Sequence, residues 1–172
     1  MSTATYYFDA SDAAATDPNG VWTNDANAFD GSTSTSASVD TTGSTSSNFL
    51  MAEGTNAPAT APGTGTDVLS VRARVYADTT SGDIDPDIRA AIYTDGLAEL
   101  LGTPVKAGAV GWGNYATLAI PTGGWTWAKV QSLETKIYRI SGVVPGVSNV
   151  YRVEVEVTYK DLGSAVTAWL RV

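Results

Sequence analysis

From Tyr151 to Tyr159 the chain alternates without a break. Tyr151, Val153, Val155, Val157 and Tyr159 take one side; Arg152, Glu154, Glu156 and Thr158 take the other. A strict period of two built from β-branched and aromatic residues predicts a half-buried antiparallel strand. Val68 to Tyr76 repeats the device, with Val71, Ala73 and Val75 inward and Arg72 and Arg74 outward. Asp87 to Tyr93 follows through Ile88, Ala90 and Ile92, and Tyr115 to Ile120 through Ala116, Leu118 and Ile120. Shorter strands are expected at Lys136 to Ile140 and at Tyr6 to Phe8. The outward Glu154 and Glu156 are expected to pair across the sheet with Arg or Lys.

Turn signals separate these runs: Asp17-Pro-Asn-Gly20, Asp30-Gly31, Ser81-Gly82-Asp83, Asp95-Gly96, Gly123-Gly124 and Pro145-Gly146. No stretch sustains a 3.6-residue period, and one short helical turn is expected, at Leu97 to Leu101 or Ala128 to Leu133. Strands broken at this spacing predict an all-β fold, an antiparallel β-sandwich of jelly-roll type. Ser32 to Ser47 is Ser or Thr at twelve of sixteen positions, which suits a hydroxyl-faced strand pair or a mobile loop, and no helix. Gly54 to Thr66 reads as a long surface loop. The expected organisation is one sandwich domain over residues 1–162, then a strand or arm over 163–172. The tail alternates Val166, Ala168, Leu170 and Val172. It closes its own sheet or augments a neighbouring subunit.

Charge narrows the partners. The first 71 residues hold eight carboxylates (Asp9, Asp12, Asp17, Asp25, Asp30, Asp40, Glu53, Asp67) and no Lys or Arg. From Arg72 onward ten acids balance ten bases, so this first part carries the whole net charge of −8. A region without cations cannot neutralise phosphates or release their counterions, so nucleic acid and anionic membrane are excluded as its partners. There is no Cys and no His. Disulfides, thiolate metal sites and His-dependent nucleophilic triads are therefore unavailable. The N-terminus has neither the basic nor the apolar region of a secretory signal, and no window reaches the roughly 18 apolar residues of a membrane span. A soluble chain made in a cytoplasm is expected.

Three clusters hold candidate chemistry. In Trp22–Gly31, Asn, Asp and Gly gather between a Trp and a Phe. Asp17, Asn19, Asp25 and Asp30 offer hard oxygen ligands that suit Ca²⁺, although such carboxylates more commonly make Asx turns. Trp112, Tyr115, Trp125 and Trp127 suit stacking on sugar rings, or else core anchoring, since Trp125 and Trp127 share one side of a strand. Asp83, Asp85 and Asp87 crowd a single turn, where they repel one another and suit solvent better than a glycosidase pair. With no nucleophile–base pair and no Gly-rich phosphate cradle, the chain is not expected to be an enzyme.

The run Trp22-Thr-Asn, then Ala28-Phe-Asp-Gly-Ser32 and a Ser/Thr/Ala strand, resembles the opening of discoidin-type and related carbohydrate-binding sandwiches. It resembles more closely a group of tailed-phage virion proteins that carry such a sandwich. Trp125-Thr-Trp127, Val130, Leu133 and the strand Tyr151–Tyr159 extend the likeness, while the terminal cysteines of discoidin domains are missing. The resemblance implies a bacteriophage structural protein, a capsid decoration or minor head or tail component, localised to the virion. Its implied partners are other virion proteins such as the major capsid protein, and copies of itself. The alternative is a carbohydrate-binding module that takes glycans, with Ca²⁺ in some forms. The residues expected to meet a ligand or partner are Trp112, Tyr115, Trp125, Val166, Trp169 and Leu170.

Overall fold

A computed structural model describes residues 1–9, 21–40, 48–62, 67–79, 87–108, 110–140 and 146–160. The strands are β1 (Ser2–Tyr7), β2 (Ala37–Val39), β3 (Leu50–Glu53), β4 (Asp67–Thr79), β5 (Ile88–Tyr93), β6 (Val105–Lys106), β7 (Gly111–Trp112), β8 (Ala116–Thr117), β9 (Glu134–Arg139) and β10 (Ser148–Lys160). One α-helix, α1 (Trp127–Gln131), lies among them. Every described strand pair is antiparallel. One sheet runs β1-β10-β4-β7, with β2 also on β10 and β8 also on β4; the other runs β3-β9-β5-β6. The protein is an all-β sandwich.

The period-two runs put their apolar sides where they must go. Val71, Ala73 and Val75 of β4 and Val153, Val155 and Val157 of β10 are fully buried. They meet Ile88, Ala90 and Ile92 of β5 and Ile137 of β9 in one apolar cluster. Phe8 continues β1 into that cluster and donates its amide to Val153 O at 3.2 Å.

Several expectations change. A register shift between Val150 and Arg152 adds one residue to β10 opposite β4. Such a bulge puts neighbouring side chains on the same face. Tyr151 therefore leaves the side of Val153 and sets its ring edge-on to Tyr76, with centroids 5.0 Å apart. The strand expected over Tyr115 to Ile120 shrinks to β8: Leu118 is buried but Ile120 is 71% exposed. Trp125 and Trp127 do not share a strand. Thr126 caps α1 by accepting from Lys129 N, Trp127 begins the helix and is buried, and Trp125 precedes it half-buried against the core. The segment from Gly54 is more than surface. Ala57 is buried, and Pro58 O accepts from Trp127 Nε1 at 2.9 Å and from Gln131 Nε2 at 2.8 Å. The tail residues Val166, Trp169 and Leu170 lie outside the described residues.

Candidate functional site: an arginine–aromatic ladder on the outer sheet face

The outward side of the first sheet is built by register. Glu154 of β10 faces Arg74 of β4 and Tyr7 of β1, Glu156 faces Arg72, and Arg152 faces Tyr76, itself opposite Trp112 of β7. Period two turns all of these away from the valines. The cross-strand pairing expected for the two glutamates is present. Arg72 Nε donates to Glu156 Oε1 at 3.1 Å, and Arg74 Nε donates to Glu154 Oε1 at 2.6 Å.

Glu154 is the centre. Its side chain is 3% exposed. Tyr115 OH donates to its Oε1 at 2.9 Å and Arg152 Nη2 to its Oε2 at 2.9 Å. A buried carboxylate is tolerated only with such complete pairing.

The guanidiniums and rings alternate. Arg152 lies 4.9 Å from the Tyr7 ring and 5.9 Å from Trp112; Arg74 lies 4.1 Å from Trp112 and 4.4 Å from Tyr115; Arg72 lies 4.8 Å from Tyr115. The order across the face is Tyr7, Arg152, Trp112, Arg74, Tyr115, Arg72. Each stacked pair is worth roughly 0.5–2 kcal/mol by its degree of desolvation, and each fixes a long side chain in place. Asp78 stands on the same face and accepts from Tyr151 OH at 2.8 Å and from Asn149 Nδ2 at 2.7 Å, so Glu154, Glu156 and Asp78 balance the three arginines.

At one end the ladder is closed by the turn that the sequence singled out. Arg152 Nη1 donates to Gly31 O at 3.0 Å. Gly31 has φ 74°, and a Cβ there would lie 2.6 Å from the Tyr7 ring. Gly31→Ala thus meets both left-handed backbone strain and a clash, and should destabilise by about 1–2 kcal/mol in urea unfolding. It should also raise the mobility of Tyr7 in side-chain NMR. At the other end β6 and β7, which belong to different sheets, flank a groove of about 320 Å³, lined in part by Lys106, Trp112, Asn114 and Tyr115. A Cβ at Gly113 would lie 2.6 Å from Lys106 O, so glycine is what lets these two segments approach.

Of the calcium set, Asp25 and Asp30 make local hydrogen bonds. Asp30 Oδ1 accepts from Ser32 N at 2.7 Å and its Oδ2 from Thr35 Oγ1, an Asx turn; Asp25 Oδ1 accepts from Ala26 N. Asp17 and Asn19 lie outside the described residues. No group of three potential ligands occurs among the described residues. Asp83 and Asp85 also lie outside them. Of the expected partner-binding residues, Trp112 and Tyr115 stand together in the ladder and Trp125 does not join them. The reading of the sequence missed Tyr7, Arg72, Arg74 and Arg152 as members. The signal was present in the parity of Arg72 and Arg74 against Glu154 and Glu156.

Four tyrosines hold their protons above the usual phenol range. Burial is the leading cause at Tyr6, Tyr115, Tyr138 and Tyr151; bonding to Glu154 adds to it at Tyr115, and bonding to Asp78 helps push Tyr151 up to about 12. The unfolded chain ionises near pH 10 while the folded chain resists. The stability that these groups give is fully present below about pH 10 and is lost as pH rises toward about 12. Urea midpoints measured from pH 8 to 12, beside tyrosinate absorbance, should fall over that window and not below it.

No described helix is long and apolar enough to cross a membrane. Comparison with protein-family models, with curated proteins and with solved structures finds no match to this chain.

Proposed function

We propose that this chain is a non-catalytic contact module, a structural component of a virion that attaches to a protein lattice through its β-sandwich. The observation that carries the reading is the ladder itself. Arg, Trp and Tyr are the residues that dominate protein interfaces, and here they are locked in advance by Glu154 and by stacking. Little side-chain entropy remains to be lost when a partner covers them. Glu154, the most buried carboxylate of the face, is committed to three donors, which suits a structural role. The virion setting rests on the resemblance of Trp22–Ser38. Weak contacts repeated on a lattice add up to firm attachment. Mass spectrometry of particles purified from cells that make this chain should find it in the particle in a fixed ratio to the lattice protein. Its absence from particles would overturn the reading.

The groove beside Trp112 and Tyr115 favours a second reading, a carbohydrate-binding module. One face of Trp112 is already covered by Arg74, which leaves less ring for a sugar. A glycan array probed with the protein and with Trp112→Ala separates the two. Retention that the substitution abolishes supports the module, and no retention on any glycan supports the contact role.

A further inference from the structure

We infer that the free edge of β1 pairs with β1 of a second copy, antiparallel and centred on Ala4, so that two copies share one continuous sheet. The inference goes beyond the contact reading and stands on backbone groups that the ladder does not use.

Parity defines the edge. Phe8 N donates to Val153 O, so Phe8 and, at period two, Tyr6, Ala4 and Ser2 aim their amides and carbonyls at β10. Tyr7, Thr5 and Thr3 aim theirs the other way. At Tyr7 that outer edge is occupied: Tyr7 N donates to Asn56 Oδ1, and Tyr7 O accepts from Asn56 N. The outward groups of Thr3 and Thr5 meet no partner among the described residues, and Ser2, Thr3 and Thr5 are exposed. Edge strands are normally guarded by a charge, a proline, a bulge or short length. β1 has six residues, none charged and none proline, and it pairs with β10 without a register shift. The other described edges are shorter: β6, β7 and β8 have two residues each, β2 has three, and β3 has four and ends on Glu53.

Symmetry names the occupant, because the free stretch is its own complement. Centred on Ala4, Thr3 meets the partner's Thr5 and Thr5 meets the partner's Thr3, and each pair exchanges two backbone bonds. Centring on Thr3 or on Thr5 leaves one such pair, since Met1 lies outside the strand and Asn56 holds Tyr7. A neutral strand also brings no like charges into the join between two chains of −8. The two-fold axis stands perpendicular to the sheet, so the contact is isologous and closed. Both copies then turn their ladders to the same side, and a lattice meets two ladders on one sheet. The contact is far smaller than the roughly 800 Å² per partner of a stable complex, so a Kd on the order of 1 mM is expected.

Cross-linking reads the register, because the chain has no cysteine of its own. Ala4 and the partner's Ala4 form a non-hydrogen-bonded pair with Cα atoms about 4.5 Å apart, within disulfide reach. Ala4→Cys at about 1 mM under mild oxidation should give a covalent dimer. Thr3→Cys should not, because Thr3 sits diagonally from the partner's Thr3, beyond the roughly 7 Å limit. Hydrogen exchange at the Thr3 and Thr5 amides should slow as concentration rises, with Ala4 and Tyr6 unchanged. Thr3→Pro removes an outward N–H and keeps the bonds to β10, so association should fall about tenfold or more with the urea midpoint unchanged. Thr3→Val keeps the backbone and should associate like the parent. A chain that stays monomeric at about 1 mM, or Thr3 exchange that ignores concentration, overturns the inference. Association that survives Thr3→Pro, or equal cross-linking through Thr3→Cys, also overturns it. None of these results touches the contact reading, which fails only if the chain is absent from particles.

Discussion

Replacing Glu154 with alanine is expected to destabilise the protein by about 3 kcal/mol, the low end of what breaking a buried ion pair costs. The carboxylate is almost fully enclosed, and its loss leaves Arg74, Arg152 and Tyr115 without their shared acceptor. The low end applies because Arg74 and Arg152 are 28% and 23% exposed and can turn partly to water. Glu154→Gln keeps an acceptor but removes the charge, and should cost about half as much. Urea unfolding followed by tryptophan fluorescence measures both, with an unchanged denaturant slope as the sign of an unchanged fold. A loss below about 0.5 kcal/mol for the alanine variant would mean that the network adds little beyond a surface salt bridge.

Phe8→Ala should have a comparable or larger effect, about 3–5 kcal/mol. Phe8 is 1% exposed and stands where the first sheet meets the chain leading out of the second. It bridges to Thr55, and the neighbouring Asn56 exchanges bonds with Tyr7: Tyr7 N donates to Asn56 Oδ1 at 2.8 Å and Asn56 N to Tyr7 O at 2.9 Å. Truncation therefore leaves a cavity at the join, which backbone pairing on both sides prevents from collapsing. A thermal midpoint lower by roughly 6–20 °C is expected for a domain of this size. Because Tyr7 follows the same strand, this variant should also loosen the Arg152 end of the ladder. A melting point within a degree of the parent would show that the join relaxes freely.

The contrast between these residues shows which parts of the fold could be seen in the sequence. Strands buried on one side announce themselves, because one turn of the pleat separates water from core. That is why Val71, Ala73 and Val75, and Val153, Val155 and Val157, were legible. A bulge is not legible in this way. One extra residue at Tyr151 leaves the alternation intact on paper and reverses its meaning in space. Trp125 and Trp127 misled for a related reason. Spacing of two fits a strand, and the decisive feature was the Thr126 hydroxyl that caps α1. Ile120 reads as core by type, yet it is exposed because β8 ends at Thr117.

The ladder was half legible. Parity placed Arg72, Arg74, Glu154 and Glu156 on the outside, and opposite charges suggested that they pair. What parity could not supply was register between strands some 80 residues apart in sequence. Nor could it show that Tyr7, Trp112 and Tyr115, from separate strands and loops, fill the gaps between the guanidiniums. The Asp30-Gly31 turn was singled out for its carboxylate. Its place in the structure depends instead on the glycine, whose missing side chain makes room for Tyr7 and whose carbonyl holds Arg152.

Electron cryo-microscopy of particles from cells that make this chain tests the central claim most directly. The account predicts density for a two-sheet sandwich, repeated with the lattice symmetry, with the Arg72–Trp112–Tyr115 face covered by protein. Particles without such density, or sandwiches bound with that face open to solvent, would contradict it.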